Sequence, residues 1–149
     1  MIQHIVVGVD FSEGSRAALL EGEQLAEQFD VACLAVHVLP SLIPAFPEAL
    51  PVPMDPAWQE KEERESMEHL QEWITPLPKA SGKILTGEAA HQLVCTADQD
   101  ALLVMGHEHH SALASLLFGS TTRWVLDHAP CPVLVVPKPT RPGAKASEH

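Results

Sequence analysis

The sequence predicts one α/β domain, a doubly wound five-stranded parallel sheet with helices on both faces. Three observations predict it. Runs such as Ile2 to Val9, nearly all apolar, and Ala101 to Met105, continuously so, have the pattern of strands covered on both sides. Segments of helical spacing alternate with them, which calls for parallel strands joined by right-handed crossovers. The 149 residues suffice for a single core.

Ile2 to Val9 is the first strand, and Asp10 stands at its carboxyl end, where ligands collect in an open parallel sheet. Ser12 is placed to cap the next helix through the N–H of Ser15. Ala17, Ala18, Leu19, Leu20, Leu25 and Ala26 carry that helix to about Gln28, and Phe29-Asp30 turns it off. Val31 to Val38 is the second strand. Six prolines between Pro40 and Pro56 exclude regular structure and leave a surface loop, a ligand cover or mere decoration. Asp55 or Pro56 starts a helix ending near Ile74, whose stripe of Met67, Leu70, Trp73 and Ile74 is a core face.

Gly82 to Thr86 is a short third strand, and Glu88 to Ala97 a helix with Ala89, Ala90, Leu93, Val94 and Ala97 on one side. The fourth strand, Ala101 to Met105, is expected to stop at Gly106, where glycine permits a tight turn. Gly119-Ser120 opens a short helix whose free N–H groups suit an anion. Val133 to Val136 is the last strand. Residues 138–149 have neither apolar period nor turn logic and are expected to be disordered, leaving 1–137 as the domain.

Composition narrows the function. A net charge of -11 without a Lys/Arg patch speaks against nucleic acid. No apolar run approaches the ~20 residues of a membrane span, and the N-terminus lacks the features of a signal peptide. Cys33, Cys95 and Cys131 show no CxxC spacing, lie within apolar segments and are expected to be buried, as reduced cytoplasmic thiols.

Four stretches, VGVDFSEGSRAAL, the His37-Val38 pair, ALLVMG and FGSTTRWVLDHAPCPVLVVP, resemble the universal stress protein family up to Pro137. The resemblance implies a Rossmann-like, adenine nucleotide alpha hydrolase-like sheet of strand order 3-2-1-4-5. It also implies an ATP-type site, with Mg2+ accompanying the nucleotide. By that resemblance Asp10 contacts the ribose and adenine region, and Val9 and Val38 frame the adenine. Met105 and Gly106 lie under ribose and phosphates, while Gly119, Ser120, Thr121 and Thr122 donate to the phosphates. The family's glycine pattern falls on Gly106, position 109 and Gly119-Ser120, but position 109 is His109. A histidine there brings a β-carbon and ring where phosphate would approach the backbone. Glu108 adds negative charge, whereas His107, His109 and His110, when protonated, would donate to phosphate.

Two functions of different class follow. One is a small cytoplasmic stress-response regulator with a nucleotide site; the other is a module of the same family that binds no nucleotide and acts through protein contacts with an unidentified partner. A third reading makes His107, Glu108, His109 and His110 a metal loop, although four adjacent residues seldom converge on one ion. No nucleophile and base stand at a familiar catalytic spacing, and neither GxSxG nor a Walker sequence occurs, so no enzyme is expected. His37 reads as a hydrogen-bonded core histidine and Ser120 as a candidate N-cap. The last strand, a flat apolar edge, is expected to pair with its symmetry mate in a homodimer, as the resemblance also implies.

Overall fold

The computed structural model describes residues 1–41, 55–107 and 119–138. The elements are β1 (His4–Gly8), α1 (Glu13–Phe29), β2 (Ala32–Leu39), α2 (Pro56–Ile74), β3 (Ala80–Thr86), α3 (Ala89–Thr96), β4 (Ala101–His107), α4 (Ser120–His128) and β5 (Val133–Pro137). All strand pairs are parallel and the order is β3-β2-β1-β4-β5, as expected. The proline-rich stretch 42–54, the loop 108–118 that contains His109, and the tail 139–149 lie outside the described residues.

The period of two along each strand divides the core into two layers. Ile5, Val7, Cys33, Ala35 and Val104 meet Leu19 and Ala26 of α1 and Leu70 and Ile74 of α2 on one face. Val6, Val36, Leu103 and Met105 meet Ala90 and Leu93 of α3 and Val125 of α4 on the other. Of the expected α2 stripe, Leu70 and Ile74 are core and Trp73 packs against it, whereas Met67 is only half-buried and stands outside the core cluster.

Helix boundaries follow side-chain chemistry. Ser12 Oγ accepts the Ser15 N–H at 3.1 Å to start α1, and Asp30, left-handed at φ 53°, closes it by donating its N–H to the carbonyls of Ala26 and Glu27. Asp55 Oδ1 accepts the Ala57 N–H at 3.0 Å, with Pro56 at the first helical position, where its missing donor costs nothing.

Two expectations are corrected. Gly106 does not end β4, which continues through His107, and its φ is not positive. Glycine is needed there because an added β-carbon would stand 2.3 Å from the backbone C and O of Gly14; the first turn of α1 rests directly on the strand. Nor are the cysteines uniformly buried: Cys33 is, Cys131 is partly so, and Cys95 is exposed because it falls outside the Ala90, Leu93, Ala97 stripe. No helix among the described residues is long and apolar enough to cross a membrane.

Candidate functional site

The sheet order places β1 between β2 and β4, so the crossovers leave β1 in opposite senses and a crevice opens at its carboxyl end. A cleft of about 290 Å³ lies there. Val36, Val38, Leu93 and Met105 give it apolar walls, Asp10 a carboxylate, and Thr121 and Thr122 the start of a helix. Among the described lining residues Asp10 is the sole carboxylate.

Asp10 is held by the turn that starts α1. Its Oδ1 accepts the Ser12 N–H at 3.0 Å and the Ser12 hydroxyl, while its own N–H donates to Ser15 Oγ at 3.3 Å. Burial pushes the Asp10 carboxyl up, but the hydrogen bonds from Ser12 and Ser15 outweigh it and leave the group below the usual aspartate value. A charged acceptor is therefore kept in the cleft.

Phe11, between Asp10 and Ser12, is left-handed at φ 65°. Its ring stacks on His69 of α2 (centroids 4.0 Å apart, 10° between planes), tilts against His37 at 4.5 Å and meets the edge of Trp73 at 5.3 Å. The half-buried His37 places Nδ1 2.7 Å from the Val9 carbonyl, which can only accept, so Nδ1 carries the proton. That is the hydrogen-bonded histidine the sequence predicts, yet His37 also lines the cleft.

The four helix starts among the described residues differ in one respect. Side chains of Ser12, Asp55 and Glu88 cap α1, α2 and α3, the last through bonds from the N–H groups of Ala90 and His91. At α4 the cap residue is Gly119, with no side-chain hydrogen bond; Ser120 is the first helical residue, not the cap. With no capping side chain among the described residues, the N–H groups of this first turn and the positive end of its dipole suit an anion. Thr122, only 7% exposed, and Thr121 present this end to the cleft.

Of the residues singled out from sequence, Val9, Asp10, Val38, Met105, Gly106, Thr121 and Thr122 line the cleft. Gly119 and Ser120 begin α4 beside it without lining it. His109 is outside the described residues, as are Glu108 and His110 of the histidine loop. Sequence reasoning missed Ser15, Leu93 and Ala89, all read as helix or core residues; the topology alone turns them toward Asp10. Among the described residues no group of three or more His, Cys, Asp or Glu side chains is gathered for a metal ion.

The profile of the universal stress protein family matches residues 1–137. A universal stress protein of Mycobacterium tuberculosis is 31% identical over 157 residues, covering 93% of this chain and 49% of its own. The chain thus spans about half the length of that relative. One from Thermus aquaticus is 30% identical over 143 residues, covering 91% of this chain and 99% of its own. A universal stress protein structure from Archaeoglobus fulgidus superposes with a TM-score of 0.68 at 25% identity, covering 91% of this chain and 99% of that one. Two more distant structures share the fold: a universal stress protein in complex with cAMP (19% identity, TM-score 0.60) and an Archaeoglobus fulgidus one in complex with dAMP (20%, 0.59).

Proposed function

The chain belongs to the universal stress protein family, and from that premise we propose that it is a small stress-response regulator that binds an adenine nucleotide of the ATP type in the cleft beside Asp10. The observation that carries the reading is the start of α4, which no side chain among the described residues caps, on the opposite side of β1 from the apolar walls of β2. A nucleotide needs those features in that sequence: an apolar slot for the base, an acceptor for sugar hydroxyls, and donors for phosphate. Val36 and Val38 with Leu93 supply the slot, Asp10 the acceptor, and α4 the donors. The cAMP and dAMP complexes of the two distant relatives support the same ligand class. Mg2+ would enter with the triphosphate, held by its phosphates. We read a binding protein and not an enzyme, located in the cytoplasm and dimeric through β5.

A second reading is favoured by His109 in place of the motif glycine. In it the cleft is inherited architecture and the protein acts through contacts with a partner.

The test starts with protein purified without added ligand, denatured and assayed for released nucleotide, followed by calorimetric titration with ATP and Mg2+. Stoichiometric binding supports the first reading, and no binding up to millimolar ATP by the folded protein supports the second. Gly119→Asp sharpens the choice. An aspartate cap should leave stability within a few tenths of a kcal/mol or raise it by that much, while its charge repels phosphate and lowers affinity by an order of magnitude or more, about 1.4 kcal/mol.

A further inference from the structure

Outside the cleft, α3 carries two metal-ligating side chains on one exposed face. His91 and Cys95 are four residues apart, hence neighbours along the helix. His91 Nε2 lies 3.5 Å from Cys95 Sγ. A tetrahedral zinc-like ion with nitrogen and sulfur ligands at their usual lengths holds the two atoms about 3.6 Å apart. The pair already has that bite. We propose that His91 and Cys95 form a chelating site for a thiophilic divalent cation of the zinc class.

Neighbouring structure favours this pair over the other thiols. Cys33 is buried, with its thiol pushed up to about 12 by burial and by the charge of Glu23. Burial also raises the partly buried Cys131, whereas Cys95 is open to solvent. The His91 ring rests against Trp124 of α4, centroids 6.2 Å apart, and Trp124 is stacked in turn on His128 at 3.9 Å. Bracing from a second helix lowers the entropy lost when the imidazole is fixed on an ion. The Glu88 carboxylate that caps α3 sits one turn before His91 and adds negative potential. On binding, the Cys95 S–H bond breaks, its proton passes to solvent, and thiolate and neutral imidazole each give an electron pair to the cation. With two protein ligands and a solvent-facing side, water completes the sphere, so the ion is exchangeable and not structural.

The probe is cobalt(II), whose thiolate complexes show a sulfur-to-metal charge-transfer band in the near ultraviolet; binding by the histidine loop alone gives none. Full-length reduced protein titrated without oxygen should develop one saturable band at one equivalent, reversed by zinc. Cys95→Ser should abolish it, and Cys131→Ser should leave it. His91→Ala should weaken the affinity about tenfold or more, since loss of even an outer-shell partner costs that much. Both ligands are exposed, so unchanged circular dichroism is expected of their variants. A wild-type protein without the band, a band that survives Cys95→Ser, or one indifferent to His91→Ala overturns the assignment.

Discussion

At Gly106 the effect of one methyl group follows from geometry. The nearest atoms to an added β-carbon are backbone atoms, Gly14 C and O at 2.3 Å and Ser15 N at 2.7 Å, which cannot turn aside as a side chain would. Gly106→Ala should therefore destabilise by about 1–3 kcal/mol or more, the usual range for overpacking, seen as a lower urea midpoint with unchanged m. Because Ser15 also holds the Asp10 loop, the same variant should bind nucleotide more weakly. A second residue-scale expectation concerns Cys33. The unfolded thiol ionises near its ordinary 9.0 while the native one keeps its proton to about 12. In that window the native state binds more protons, so stability falls as pH rises through it, and Cys33 contributes no slope below it. Urea midpoints measured above and below pH 9.0 should show an alkaline slope that is shallower in Cys33→Ala. Sequence showed that position 106 matters and gave the wrong reason: a glycine at a strand end suggests a turn, and only the crossing of α1 over β4 shows a packing need.

Among the elements, Phe11 ties α2 to the site loop. Phe11 accepts a left-handed backbone, which costs about 1–2 kcal/mol in a residue with a β-carbon, and its ring contacts with His69, Trp73 and His37 offset that cost. Arg16 of α1 extends the cluster, its Cζ 4.9 Å from the Trp73 ring centre. Phe11→Ala loses the contacts and keeps the strain; Phe11→Gly loses both. Glycine should therefore be the more stable of the two by about 1 kcal/mol, reversing their ordinary order, and paired urea denaturations measure the sign. Such a position was not legible in advance. Strands and helices announced themselves by period, with the stripe Leu70 and Ile74 and the run Ala101 to Met105 placed correctly, and Ser12 and Asp55 showed their caps. A single aromatic between an aspartate and a serine has no period. Likewise Asp10, Thr121 and Thr122 could be singled out through the family motif, whereas Leu93 and Ser15 follow the pattern of ordinary helix and core positions and join the cleft only when the crossovers bring α3 and α1 beside Asp10.

At the scale of the whole molecule, the sheet among the described residues ends on one side at β3 and on the other at β5. The β3 edge carries the exposed Lys83 and Ser81, polar side chains that discourage pairing. β5 carries none: Val133 to Val136 are all half-buried and apolar, and β4 covers only one side of the strand. An antiparallel meeting of two such edges would satisfy both rows of backbone groups and bury the valines in a closed two-fold dimer. Leu134 and Val136 pack toward α1 and α2, whereas Val133 packs toward α3 and α4 and the alternation sends Val135 to that same face. Val135→Glu should give monomers in sedimentation, with a melting curve run alongside to show that the fold survives; a folded variant that remains dimeric would place the interface elsewhere. Charge supplies an independent check. Two chains of -11 repel each other, and salt shortens the reach of that repulsion to about 8 Å at physiological ionic strength. An apolar β5 interface should therefore tighten as salt is raised, while an interface made of ion pairs would loosen, and the sign of the salt dependence distinguishes them without any mutation.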